Sequence, residues 1–151
     1  MRSVISGVLV FVAVSTVPLC ASGFDDKIPD QQSIDALEIK ARQAPSHEQC
    51  FLYAKLVHQM TELSVRQYAA GDVEKAAELL RQVQELTHKI HLSMADDNKR
   101  LKYTEILLRH TAFRLTGMLR SSNIEDQSLV AQTLAQVNQV QSEAMLQVFR
   151  K

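Results

Sequence analysis

Two pairs of side chains have the residue types and the spacing from which a helix can build a chemical site. His88 and His91 lie three residues apart, so on a helix their imidazoles share one face and could bind one metal ion. A zinc or iron site needs three or four ligands, and the neighbouring positions on that face, Gln84 and Ala95, offer no carboxylate. We therefore favour a solvated helix face, with metal or haem ligation as the alternative.

His47 and Cys50 form the second pair, near the expected start of a helix. A helix N-terminus and a neighbouring imidazolium both make a thiol more acidic and therefore more reactive. The sequence has no C-x-x-C pair and no C-x-x-C-H haem attachment motif. A buried structural thiol is the favoured interpretation of Cys50, and a reactive thiol or a disulfide between two chains is the alternative.

Signatures of catalysis, phosphate binding and nucleic-acid binding are missing from the sequence. It contains no G-x-S-x-G, no H-E-x-x-H and no glycine-rich phosphate loop, and only 4 of its 151 residues are glycine. The 17 Lys and Arg balance the 17 Asp and Glu, whereas nucleic-acid binders usually carry a basic excess. We expect no enzymatic activity, no cofactor and no nucleic-acid partner.

Residues 1–21 have the organisation of a secretory signal peptide. Arg2 gives a positive start, residues 4–17 are mainly apolar, and small residues follow Pro18. A cleaved leader predicts a secreted or periplasmic protein, with the bacterial envelope preferred. An uncleaved leader acting as a membrane anchor is the alternative, and lipidation at Cys20 is a third option. Cleavage would leave Cys50 as the single cysteine of the mature chain.

After the leader the pattern is helical throughout, and glycine and proline divide it into segments. Residues 22–45 form an acidic lead-in with a short helix over 31–43, which Asp30 can cap. Residues 46–151 form the bundle domain. Its first helix is expected over 46–70 and its last runs to about 149, each opened by a Ser with Gln or Glu three residues later, at Ser46 and Ser122.

The middle of the chain presents one choice between two architectures. A seven-residue ladder of mostly apolar side chains runs from Val73 to Leu115, as in a coiled coil, and keeps its phase through Asp96-Asp97-Asn98. We favour one continuous or kinked helix over 73–118, which gives three long helices. A break near 96–98 would give four. Either way, the predicted fold is an all-α antiparallel helical bundle.

The second half of this ladder also carries a candidate interaction surface. Ile106 and Phe113 lie seven residues apart and point away from the main ladder, and three cations, Lys102, Arg109 and Arg120, accompany them. Internal packing and a solvated face are the favoured interpretations. The alternatives are a homodimer, an envelope protein partner, or weak binding to an anionic surface such as lipid headgroups.

One short segment resembles a known motif. Residues 68–80, YAAGDVEKAAELL, resemble the turn between the two helices of a tetratricopeptide repeat. The resemblance implies a tight antiparallel helical hairpin. It does not extend to repeat architecture, because no second copy follows at the expected period of about 34 residues.

The sequence thus predicts a non-enzymatic protein with an interaction or structural role. A metal- or haem-binding bundle, or a thiol redox protein using Cys50, is the alternative.

Overall fold

The structure of the protein is a computed structural model that describes residues 29–94 and 100–150. Those residues form five α-helices and no strand, so the all-α prediction is confirmed. The helices are α1 (Gln31–Gln43), α2 (Ser46–Ala69), α3 (Val73–Ser93), α4 (Leu101–Ser121) and α5 (Ile124–Phe149).

Several predicted features lie outside the described residues. They are the signal peptide over 1–21 with Cys20, the first part of the acidic lead-in, and the doublet Asp96-Asp97.

Helices α2 to α5 form a four-helix bundle of two layers. Within each layer the helices are antiparallel: α2 pairs with α3, and α4 pairs with α5. The Ser64 hydroxyl donates to the Ala76 carbonyl in the first layer, and the Gln141 amide donates to the Glu105 carboxylate in the second. Between layers, α2 lies parallel to α4 and α3 lies parallel to α5. Helices α3 and α4 therefore stand at diagonal corners, and α1 packs against α2.

The favoured prediction of one helix over 73–118 is wrong, and the four-helix alternative is correct. Helix α3 ends at Ser93 and α4 begins at Leu101. The chain must reverse between them, because α2 is antiparallel to α3 and parallel to α4. The ladder keeps its phase because Met94 and Leu101, which flank the connection, are both buried and happen to be seven residues apart. Ladder phase identified core positions here without identifying helix continuity.

The ladder residues do form the core. Leu80, Leu108 and Leu115 are almost completely buried, as are the companion positions Val83 and Ile90. Burying each such side chain contributes about 1.5–3 kcal/mol to folding. These helices are held mainly by this burial, since most helix stability in proteins comes from the tertiary packing of an apolar face.

The N-terminal capping interaction predicted from the sequence is present at the start of α1 but absent at the starts of α2 and α5. The Asp30 carboxylate accepts from the Ser33 backbone N–H at 2.7 Å, as a capping box requires. The predicted boxes at Ser46 and Ser122 are wrong. Pro45 precedes α2 as its N-cap, and the Ser122 hydroxyl turns back to donate to the Met118 carbonyl at 2.6 Å.

The turn between α2 and α3 confirms the predicted tight hairpin. Gly71 has a φ of +89°, which side chains other than glycine rarely adopt. The Asp72 N–H donates to the Gln67 carbonyl at 2.9 Å and the Gly71 N–H donates to the Tyr68 carbonyl at 3.0 Å. This is a Schellman motif, which satisfies carbonyls at the end of α2 and reverses the chain.

None of the helices within residues 29–94 and 100–150 combines the length and the apolar character that crossing a bilayer requires.

Candidate functional site

His88 and His91 lie side by side on the outside of the bundle. Both are exposed, and their ring centroids are 6.3 Å apart. The Nδ1 atom of His91 lies 2.5 Å from a carboxylate oxygen of Glu143 on α5. Sequence reasoning missed Glu143 because it is 52 residues away. Within the described part of the chain, no three or more His, Cys, Asp or Glu side chains are grouped so that they could hold a metal ion.

The structure separates the environments of His47 and Cys50. Cys50 is completely buried in the core, whereas His47 is exposed. A thiol with no solvent-accessible surface cannot meet a substrate or a second chain unless the bundle opens.

A second histidine pair, which the sequence did not reveal, joins α2 to α4. The Thr111 hydroxyl donates to the Leu107 carbonyl at 2.8 Å, so its oxygen is left to accept from His58 Nδ1 at 3.2 Å. That bond places the proton of neutral His58 on Nδ1. The His110 ring lies 6.4 Å away, centroid to centroid. The contacts of His91 with Glu143 and of His58 with Thr111 join residues 52 and 53 positions apart, and such distant spacings form no recognisable sequence pattern.

Burial lowers the pKa of His58, because desolvation disfavours the charged imidazolium. Glu62 opposes this effect, while the charges of His110 and Arg114 add to it. Arg114 Nε also lies 2.6 Å from a Glu62 carboxylate oxygen. These contacts of His58 and Arg114 therefore cross-link the two layers, and burial favours the neutral form of the His58 imidazole.

The predicted interaction residues share one flank of α4. They are spaced alternately by four, three, four and then seven residues, so they follow one line along the helix. Phe113 is 76% exposed, and Ile106 is half-buried. We call this line the α4 stripe: Lys102, Ile106, Arg109, Phe113 and Arg120.

Helix α5 carries a matching line that sequence reasoning missed. Its residues alternate in steps of four and three, and every one is exposed. Large apolar side chains stand at the ends, with Ile124 87% and Phe149 80% exposed; apart from Met145, one turn before Phe149, the residues between them are small or polar. We call this line the α5 stripe: Ile124, Ser128, Ala131, Ala135, Asn138, Ser142, Met145 and Phe149.

Both stripes lie on the outer surface of the α4/α5 layer. On α4, Arg114 contacts α2 from the flank opposite the stripe. On α5, Glu143 contacts α3, and Gln141, four residues before Met145, contacts α4. The stripes therefore point away from α2 and α3. We call their combined surface the α4/α5 face; neither stripe contains an acidic residue.

An open groove of about 280 Å³ lies elsewhere, in the α2/α3 layer. It is lined by residues from the start of α2 and the end of α3: Ser46, Gln49, Tyr53, Lys89, Leu92 and Ser93. None of these residues belongs to either histidine pair or to the α4/α5 face.

Comparison of the chain with models of known protein families, with curated proteins and with solved structures found no match.

The α5 side of the α4/α5 face differs from an ordinary solvated surface in its lack of charged residues. Soluble globular proteins contain about 25% charged residues overall. Residues 127–142 of α5 contain none.

Proposed function

We propose that this chain is a secreted or periplasmic helical-bundle protein, of the bacterial envelope by preference, that binds another protein through the α4/α5 face. The observation that carries this proposal is the α5 stripe, in which exposed apolar ends flank a surface without charge. Its role on this proposal is contact and assembly rather than catalysis.

The exposed side chains of the face favour a protein partner. Phe113, Ile124 and Phe149 are each at least three-quarters exposed. Large apolar side chains gathered on one surface mark interaction sites, and aromatic residues are enriched at the centres of interfaces. A water-exposed Phe gives up much of the 1.5–3 kcal/mol that burial contributes, and a partner restores it.

The composition of α5 favours the same conclusion. A solvent-exposed helix normally gains solubility from charges on its outer surface. Over residues 127–142, α5 has only Gln, Asn, Ser, Thr and apolar side chains. Depletion of charge is the compositional mark of an interface core.

Secretion is supported by the leader-like residues 1–21 alone. It determines where a partner should be sought, which is the envelope or the extracellular space.

Site-specific photo-cross-linking in cells tests the proposal. A photoreactive phenylalanine analogue replaces Phe113 or Phe149 on the face, and Leu92 or Tyr103 as controls. The control side chains are also well exposed, at 67% and 60%, but lie off both stripes. We expect discrete protein adducts from the two face positions and few from the controls.

Two results would contradict the proposal. One is adducts from the control positions alone. The other is no protein adduct from the face; binding to anionic vesicles that high salt abolishes would then identify a lipid surface instead.

A further inference from the structure

We infer that the partner of the α4/α5 face is a second copy of this chain, bound antiparallel about a two-fold axis that crosses the middle of α4 and α5. This inference rests on the proposed function, since it names the protein that the face binds. It is carried by the order of residues along the two stripes.

The α5 stripe is complementary to its own reverse. When two copies of α5 run antiparallel with Ile124 opposite Phe149, Ala131 lies opposite Ser142 and Ala135 lies opposite Asn138. Small side chains then meet at the centre, where they let the helices approach closely, and large apolar side chains meet at both ends. Closed two-fold dimers use one patch against itself in this way.

The axis chosen from α5 alone also pairs apolar residues on α4. Pairing Ile124 with Phe149 puts the axis between residues 136 and 137 of α5. The hydrogen bond between Gln141 and Glu105 sets the antiparallel register of α4 and α5 within one copy. By that register the axis passes α4 between residues 109 and 110, which brings Ile106 opposite Phe113 of the second copy. The apolar members of both stripes thus agree on one axis.

Two of the three cations of the α4 stripe, Arg109 and Lys102, fit this arrangement. Arg109 lies near the axis, and its Nε is 3.9 Å from a Glu105 carboxylate oxygen, so each copy supplies its own counter-charge. Lys102 falls opposite Gly117 of the second copy, where the missing side chain leaves room. High salt should therefore leave the dimer intact, or tighten it by screening like charges. By contrast, high salt would release the chain from an anionic surface.

The face has the area that a stable dimer needs. Two helices of 21 and 26 residues form it. At about 1.5 Å per residue and about 10 Å of width each, they present roughly 700 Å² per copy. A standard specific interface buries about 800 Å² per partner.

Sedimentation equilibrium of the full chain tests the position of the axis with substitutions that place opposite charges at paired positions. We expect the wild type to have twice the chain mass of 17.0 kDa. Phe149→Glu alone and Ile124→Lys alone should each weaken the dimer by about tenfold or more. The double variant Phe149→Glu/Ile124→Lys should regain most of that loss, because the axis brings the opposite charges together.

A mismatched pair and an off-face variant are the controls. Phe149→Glu combined with Phe113→Lys should not recover the dimer, since the axis does not pair those positions. Leu92→Glu, exposed but off the face, should dimerise as the wild type does. Circular dichroism confirms that each variant is folded.

The failure of this inference is distinguishable from that of the proposed function. A wild-type chain that is monomeric at every concentration, while a photo-probe at Phe113 captures a different protein, overturns the second copy and leaves the face as an interface. A monomer with no adduct at all contradicts both. A dimer that Leu92→Glu disrupts, or that the mismatched pair recovers as well as the matched pair, overturns the axis.

Discussion

The guanidinium of Arg114 and the carboxylate of Glu62 meet at 2.6 Å and join α4 to α2 between the two layers of the bundle. One helical turn earlier, His58 bonds to Thr111 across the same interface. This contact fixes α2 and α4 as parallel neighbours. It also requires the chain to reverse between α3 and α4, and leaves the outer flank of α4 free for its stripe.

Stability should fall as the pH drops through about 6.5, the usual pKa of histidine. The pKa of His58 is lowered in the folded protein, so between the two pKa values the unfolded chain binds more protons. The contribution of neutral His58 is therefore complete above the unfolded pKa and is lost below it. Urea unfolding of wild type and His58→Asn, which keeps a donor for Thr111, should give pH profiles that diverge below that point. Parallel profiles would contradict this account.

A second loss of stability is expected at lower pH. Desolvation acts to raise the pKa of Glu143, but hydrogen bonds from His91 and Gln139 and the charge of His91 together outweigh it and lower the pKa below its usual 4.5. A lowered carboxyl pKa stabilises the fold above the unfolded value, and that stability disappears as the pH falls through the folded one. Glu143→Gln should flatten the acid limb of the unfolding curve, while Glu125→Gln, an exposed carboxylate at the other end of α5, serves as the control.

Two glycine-to-alanine substitutions should have opposite signs. Gly71 has a φ of +89°, so Gly71→Ala should destabilise the fold by about 1 kcal/mol. Gly117 lies inside α4 with open space around its position, so Gly117→Ala should stabilise the monomer by about 0.5–1 kcal/mol. Thermal unfolding of both variants checks the contrast. A destabilised Gly117→Ala monomer would show that the helix is distorted there.

Removing one buried hydroxyl should stabilise the core. Thr61 is completely buried, and its hydroxyl has no hydrogen-bond partner among the described residues. Thr61→Val keeps the shape and removes a desolvation cost of about 1–3 kcal/mol. Thr87→Val is the matched control, because its hydroxyl donates to the Val83 carbonyl at 2.7 Å and that bond would be lost. Denaturant midpoints should rise for the first variant and not for the second.

Local patterns in the sequence predicted much of the fold. Apolar spacing identified the core positions, and Asp30 and Gly71 marked a helix start and a helix end through backbone chemistry that acts within a few residues. The break between α3 and α4 could not be read locally, because Met94 and Leu101 keep the heptad phase on both sides of the connection. The competing argument from matched helix lengths was the correct one.

In the candidate site, too, local patterns predicted some features, and contacts between distant helices produced the others. The α4 stripe was visible because Ile106 and Phe113 leave the core ladder of their own helix. The α5 stripe was not, since small and polar residues along one side of a helix have the composition of an ordinary solvated surface. Glu143 beside His91, and His110 beside His58, depend on which helices become neighbours, and spacing along the chain does not encode that choice.

Cross-linking at the expected two-fold axis tests the central claim most directly. In the proposed dimer, position 135 lies opposite 138, so the two copies of 135 are offset by only about 4.5 Å along the helix. In a Cys20→Ser background, where Cys50 is buried, Ala135→Cys should form a covalent dimer with a short thiol cross-linker. Gln136→Cys lies even nearer the axis along α5 but shares the α3 flank with Glu143, so it should give far less. Equal yields from the two variants, or a dimer from Gln136→Cys alone, would contradict the proposed interface.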